Sequence, residues 1–412
     1  MAHETFHSNE AKAYTLRQFE AKDKTGIISI IMDGADQSAH DLPKLIGRLP
    51  KDMEVCSQKI QGLIFHGREF HAYSIPSFVR PSANLTLTCL LRSLQKILPV
   101  VPEVMHTLYM QVDGGSDEWC KATLAIVDLM FDVYPDLKEA YVSRLGVSKT
   151  HQDIDRAFGY LNSAVYGTGP GGDRAGVEVI TRDEFASLFH KAMSDKKDTM
   201  YLKTDFEDMN FSYDFWEFLT PHFYEGFTGF GSSGEVHVFR FQRREGQSIG
   251  PHISYKYWWQ SSSWLPEDGS SLKILNTRPS LLGKPVLSVS PYVEQGWEES
   301  VKMQKKLLGW LVKRRELGLV SERQVNSWRS YFAGLCSKPT APFPFFFPSQ
   351  PVTNKMVLPS PPTVSSSLAA LTSPAPTLNW QFYNPAYCGN KLDHQSSPLH
   401  TQHTPKMTRK ES

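Results

Sequence analysis

The chain has 412 residues, of which 40% are hydrophobic, enough for one large domain or two ordinary ones with a real core. Lys+Arg 44 against Asp+Glu 43 leaves no global basic footprint, so any nucleic-acid surface has to be local. The five cysteines (Cys56, Cys89, Cys120, Cys336 and Cys388) are scattered without a CxxC, which argues against a disulfide framework and against a zinc finger; no signal peptide opens the chain and no apolar run is long enough to span a bilayer. A protein that is not secreted and not membrane-bound is the expectation, with the Asn84-Leu-Thr and Asn210-Phe-Ser sequons left unglycosylated.

Residues 1–24 are polar and carry a weak helical pattern at Ala13, Leu16 and Phe19. The apolar run from Ile27 to Met32 then reads as a strand buried on both faces, and it stops abruptly at Asp33, with Gly34, Asp36 and Gln37 behind it. Asp33 either opens a tight Asp-Gly turn or is a strand-end carboxylate that needs hydrogen bonds or a cation to compensate it. A loop with Pro43 and Pro50 follows. Strands are predicted from Ile60 to His66 and from Glu69 to Phe78, joined as a hairpin through His66-Gly-Arg-Glu69.

Pro81, Ser82 and Asn84 start a helix whose stripe is Leu87, Leu90, Leu91, Leu94, Ile97 and Leu98, and Pro99 and Pro102 stop it. A fourth strand, His106 to Val112, also ends in an aspartate, Asp113. A second helix is predicted from Asp117 to Tyr134, with Leu124, Val127, Met130 and Phe131 on its apolar side, and a fifth strand from Ala140 to Leu145. Thr150 and Asp153 read as a capping box opening a third helix. Its buried stripe is Ile154, Phe158, Leu161 and Val165; Asp155 flanks the stripe, and His151 lies four residues earlier on the same flank.

The resulting order, β-β-β-α-β-α-β-α, is that of the α/β ribonuclease H-like fold, a mixed sheet whose acidic residues stand on the first strand, after the fourth and on the helix after the fifth. Asp33, Asp113 and Asp155 occupy those places. Two-metal phosphoryl transfer demands carboxylates that converge on ions about 3.5–4 Å apart. Three motifs occur in order: DGADQ (Asp33 to Gln37), QVDGG (Gln111 to Gly115) and SKTHQDIDRAF (Ser148 to Phe158), with LIFHG (Leu63 to Gly67) and SANLTL (Ser82 to Leu87) between the first two. Together they resemble a family of transposon-associated eukaryotic domains with DGxDQ, LDN and GHTHxDID-type motifs. The resemblance covers roughly residues 20 to 165 well and 200 to 265 loosely. It implies a DDE/D-type transposase core in which Asp33, Asp113 and Asp155 hold two Mg²⁺ or Mn²⁺ ions. Asp155 is preferred to Asp153 because the D-R-x-F continuation follows it; His151, Asp153, Asp36 and Lys149 are supporting candidates. Lys149 stands where the family has its first histidine, and Gly114 where it has an asparagine. The family also carries an N-terminal DNA- or zinc-binding region, so a fragment of a longer protein is expected.

Residues 167–176, GTGPGGDRAG, read as a glycine-rich linker, since a phosphate-cradling Walker loop would need Lys-Ser/Thr. In the accessory region 177–335, Thr181 to Glu184 is a capping box opening a helix with Phe185, Leu188, Phe189 and Met193 inward. Residues 200–265 are rich in aromatics. Glu235 to Arg244 and Ser254 to Gln260 read as two strands of a small separate β unit in which Arg240, Arg243, Arg244 and Lys256 interleave with Phe239, Phe241, Tyr255, Tyr257, Trp258 and Trp259. That pattern suits nucleic acid, and with no sequence-readout motif beside it, it suits better a packed aromatic face backed by a solvated basic one. Two C-terminal helices follow. Glu298 to Leu317 has Val301, Leu308, Leu311 and Val312 inward with Lys302, Lys305, Lys306, Lys313, Arg314 and Arg315 outward; the next, capped by Ser321, carries Val325, Trp328 and Phe332. From residue 336 to 412 the composition turns to Pro and Ser, that of a disordered tail. The resemblance implies a nuclear protein acting on DNA as a nuclease or strand transferase. The competing expectation is a catalytically inactive descendant that binds nucleic acid or protein, in the nucleus or the cytoplasm.

Overall fold

The computed structural model describes residues 2–35, 40–45, 53–77, 79–98, 104–112, 119–144, 153–167, 177–194, 201–227, 236–246, 250–259, 261–279, 287–289, 291–292, 297–336 and 343–345. Among these elements are α1 (Ala2–Asp23), β1 (Ile27–Gly34), β2 (Gln58–Phe65), β3 (Arg68–Pro76), α2 (Ala83–Ile97), β4 (Thr107–Val112), α3 (Lys121–Val133), β5 (Glu139–Arg144) and α4 (Ile154–Tyr166). The order of strands and helices from β1 to α4 is the one read from the sequence. The hairpin turns at Gly67, whose φ of 73° a residue with a side chain adopts only under strain. Ser82 caps α2 by accepting the Leu85 amide at 3.3 Å.

The chain continues through α5 (Arg182–Ser194), β6 (Tyr201–Asp208), β7 (Ser212–Tyr213), α6 (Phe215–Leu219), β8 (Val238–Gln242) and β9 (His252–Lys256). Eight strands form one mixed sheet in the order β6-β3-β2-β1-β4-β5-β8-β9. β4 runs parallel to β1 and β5 parallel to β4, whereas β2 is antiparallel to β1 and β8 to β5. The strands expected as a small separate unit are therefore one edge of the main sheet. Phe239 and Phe241 of β8 bury their rings in the same core as Leu108, Val142 and the α3 side chains, so the aromatic density belongs to the principal core.

The other edge, β6, carries Lys203, Asp205 and Glu207 and has too little apolar alternation to read as a strand. Lys96 from α2 donates to Glu207 at 2.7 Å and also to Asp205, and Arg92 pairs with Glu207, which ties the edge down by ion pairs.

Two cores cover the faces of the sheet. One holds Ile28, Ile30 and Met32 of β1 against α2, α3 and α6. The other holds Ile31, Ile60, Ile64 and Phe70 against α4, α5 and two C-terminal helices, α7 (Trp297–Glu316) and α8 (Glu322–Cys336). α7 buries Leu307 and Trp310 beside the expected Leu311, while Val325, Trp328 and Phe332 of α8 are inward as expected. Three short strands complete the set: β10 (Leu287–Val289), β11 (Pro291–Tyr292) and β12 (Phe343–Phe345). β12 falls inside the stretch expected to be a disordered tail and pairs antiparallel with β10; apart from Cys336, which ends α8, the rest of that stretch lies outside the described residues, as does the expected linker 167–176 apart from Gly167, which caps α4. Among the described residues no helix is long and apolar enough to cross a membrane.

Candidate functional site

β1 divides its side chains strictly by alternation. Ile28, Ile30 and Met32 face one core; Ser29, Ile31 and Asp33 face the other. Asp33 is half-buried at the carboxyl end of the strand, and its Oδ1 accepts the Gly34 amide at 2.7 Å. Its cross-strand partner is Gly62. Phe158 of α4 lies directly on Gly62: a Cβ there would come within 2.8 Å of Phe158 Cζ and 3.0 Å of Phe70 Cε2. The missing side chain lets α4 approach the strand pair that carries Asp33. Asp155, one turn before Phe158, is exposed in the first turn of α4.

Asp153 departs from its expected role. The helix begins at Ile154, with Asp153 as its N-cap, and the Asp153 carboxylate makes no cap bond to its own helix among the described residues. It is buried, and its Oδ2 accepts from Tyr14 Oη at 3.1 Å, from Gln18 Nε2, and from His66, whose Nε2 is 3.1 Å away. With the ring proton on Nε2, His66 Nδ1 accepts from Ser29 Oγ at 2.9 Å. The His66 amide also donates to the Ser29 carbonyl at 3.0 Å. Burial, and then the charge of Asp153, push the Tyr14 phenol well above its ordinary pKa, so it stays a proton donor. Ser29, His66 and Asp153 are linked in series, but all three are buried beneath Tyr14 and Gln18 of α1 and offer no nucleophile to solvent.

Sequence reasoning missed Tyr14, Gln18, Ser29 and His66. The one signal available was a polar residue, Ser29, inside an otherwise unbroken isoleucine run.

Asp36, Asp113, Lys149 and His151 lie outside the described residues. Among the described residues no group of three or more His, Cys, Asp or Glu side chains is close enough to hold a metal. What the structure places beside the Asp33–Gly62 strand pair is Phe158, in the second turn of α4, on the sheet face that Asp33 shares.

The four basic residues expected to contact nucleic acid have different fates. Arg243 turns inward and closes the carboxyl end of α3: its Nε donates to the Leu137 carbonyl at 3.2 Å, and its NH2 to the Tyr134 carbonyl at 3.2 Å and the Phe131 carbonyl at 2.5 Å. That guanidinium satisfies carbonyls the helix end leaves without intrahelical donors, so it is a structural group. Arg244 NH2 is 2.6 Å from His252 Nε2. Arg240 and Lys256 flank the Trp264 ring at 4.3 and 4.8 Å from its centroid. Trp264 in turn adjoins Tyr141 and Trp259, and Tyr141 stacks on Tyr109 at 5.2 Å. Arg17 of α1 packs 3.4 Å from the Trp259 centroid. Tyr109, Tyr141 and Arg240 alternate with core residues, so this cluster lies on the same face of the sheet as Asp33.

Residues 51–261 match the family described as a domain of unknown function (DUF7869), just over half of the chain. The chain belongs to the DUF7869 family. A comparison with curated proteins finds no match. The DUF7869 region takes in β2 through β9, with Asp113, Asp153, Asp155 and the Trp264-side cations Arg240 and Lys256; α1 and β1, which supply Tyr14, Gln18, Ser29 and Asp33, precede it.

Oxygen donors from aspartate are the ligands that hard divalent cations take, so the chemistry of Asp33 and Asp155 suits Mg²⁺ or Mn²⁺ better than a thiophilic metal.

Proposed function

We propose that the chain carries a ribonuclease H-like core performing metal-dependent phosphoryl transfer on DNA, as a transposase-derived nuclease or strand transferase. The observation that carries this reading is the position of Asp33, at the carboxyl end of the central strand, beneath the helix whose first turn bears Asp155. β4 runs parallel to β1, with Ile31 opposite Gln111, and the sequence continues from β4 into the QVDGG motif on which the resemblance places its second aspartate. The element order β-β-β-α-β-α-β-α supports the fold assignment.

In this reading Asp33, Asp113 and Asp155 would hold the ions. Two Mg²⁺ or Mn²⁺ ions, when bound, activate an attacking oxygen and stabilise the leaving one. Arg240 and Lys256, with Tyr109, Tyr141, Trp259 and Trp264, would contact the DNA strand on the same face, its bases against rings and its phosphates against cations. A nuclear location follows from the substrate.

The test is plasmid nicking with Mg²⁺ or Mn²⁺, comparing the wild type with Asp33→Ala and Asp155→Ala. The reading expects nicking by the wild type alone; undiminished nicking by Asp155→Ala would remove that residue from the triad. A second reading, a non-catalytic descendant that binds without turnover, is favoured by Gly114 and Lys149 where the transposon-associated motifs that the sequence resembles have asparagine and histidine. It expects DNA binding without nicking by any of the three proteins.

A further inference from the structure

An N-cap carboxylate ordinarily turns back to accept the free amides of its own helix. Asp153 instead reaches away from α4, to Tyr14 and Gln18 on α1 and to His66 in the turn after β2. A buried carboxylate is costly unless hydrogen bonds satisfy it, and here three donors from two separate parts of the chain converge on one oxygen. His66 is itself fixed to β1 twice, through Ser29 Oγ and the Ser29 carbonyl. The strand that bears Asp33 is thus connected to the helix that bears Asp155 by an unbroken series of buried hydrogen bonds: Ser29, His66, Asp153.

We propose that Tyr14, Gln18 and His66 are positioning residues. Acting through Asp153, they fix the first turn of α4 and set where Asp155 stands relative to Asp33. This rests on the metal-site reading of Asp33 and Asp155 given above. It also gives α1 a task that its sequence does not suggest: its weakly patterned surface matters for two polar side chains rather than for an apolar stripe.

The experiment uses the full chain and compares the wild type with Tyr14→Phe, His66→Ala, His66→Gln and Asp33→Asn. Two quantities are read: the Mn²⁺ dissociation constant by calorimetry, and amide hydrogen exchange across residues 154–158 by mass spectrometry. Groups that orient metal ligands from behind typically change metal affinity by roughly 10-fold or more when removed. Tyr14→Phe and His66→Ala are expected to weaken Mn²⁺ binding about 10-fold and to speed exchange in 154–158 while leaving β4 and α3 protected. His66→Gln, which keeps a side-chain N–H donor, is expected to recover part of the affinity. A folded Tyr14→Phe variant with wild-type affinity and wild-type exchange overturns the proposal, as does, where Asp33→Asn abolishes the heat, a lowered melting temperature with unchanged affinity. If Asp33→Asn gives the wild-type heat, the metal reading fails by itself. The exchange rates then still decide whether these side chains hold α4: faster exchange supports the positioning and unchanged exchange overturns it.

Discussion

Gly62→Ala tests the closeness of α4 to the strand that carries Asp33. A Cβ at this position meets Phe158 Cζ at 2.8 Å, Phe70 Cε2 at 3.0 Å and Phe158 Cε1 at 3.1 Å. Both rings are buried in the core shared with α4 and α5, so neither can swing into solvent. Overpacking of this kind costs about 1–3 kcal/mol. Replacing glycine in a strand returns about 0.4–1 kcal/mol by restricting the unfolded chain. The net expectation is a loss of about 1–2 kcal/mol in urea unfolding followed by far-ultraviolet circular dichroism. Phe158→Leu removes the ring edge that a Cβ at 62 would strike. In the double variant the two changes should therefore compensate, with a coupling of about 1 kcal/mol. A Gly62→Ala protein as stable as the wild type, or a double variant whose loss equals the sum of the single ones, would refute the close contact between α4 and β2.

Arg278 donates from NH1 to Asp128 Oδ1 at 2.6 Å and from Nε to Asp132 Oδ2 at 2.8 Å, clamping the 278 segment to α3. Arg278→Ala leaves a buried carboxylate without its cation and should cost about 3 kcal/mol by urea unfolding. Burial pushes the Asp128 carboxyl up to about 6 from its ordinary 3.8, against the lowering effect of Arg278. The folded state thus holds this proton more tightly than the unfolded one. Its contribution to stability is fully present below about pH 4 and is lost as pH rises through about 6. Asp128→Asn should remove a pH-dependent component of roughly 2–3 kcal/mol between those limits, and in Arg278→Ala the window should move to higher pH; identical pH profiles for the wild type and Asp128→Asn would contradict this. Arg240→Ala with Lys256→Ala should weaken single-stranded DNA binding and flatten its salt dependence by about two phosphate contacts at an unchanged melting temperature. Arg243→Ala should do the reverse, lowering the melting temperature with little effect on binding; equal effects of both changes on binding would remove the distinction.

Much of the fold is legible in the residues because its central elements are strongly patterned. The isoleucine run of β1, the leucine repeat of α2 and the glycine at the hairpin turn each have one good local solution. β6 is not legible, because Asp205 and Glu207 hold an edge strand by ion pairs with Arg92 and Lys96 of α2 that no local pattern announces. The membership of β8 and β9 in the main sheet is equally hidden: alternation predicts strands but not which strand they join, and the partner of β8, β5, lies about a hundred residues earlier. At the candidate site, Asp33 can be found from the apolar run it terminates. Asp153 is misread as one half of a capping box because local spacing gives no sign that its donors come from α1 and from the turn after β2. Arg243 reads as a surface cation for the same reason, its carbonyl partners being more than a hundred residues away.

Calorimetric titration with Mn²⁺ of the wild type and of the Asp33→Asn/Asp113→Asn double variant is the most direct measurement of the metal-site reading. Saturable heat from the wild type that disappears in the double variant is the predicted result. The same heat from both proteins would contradict it.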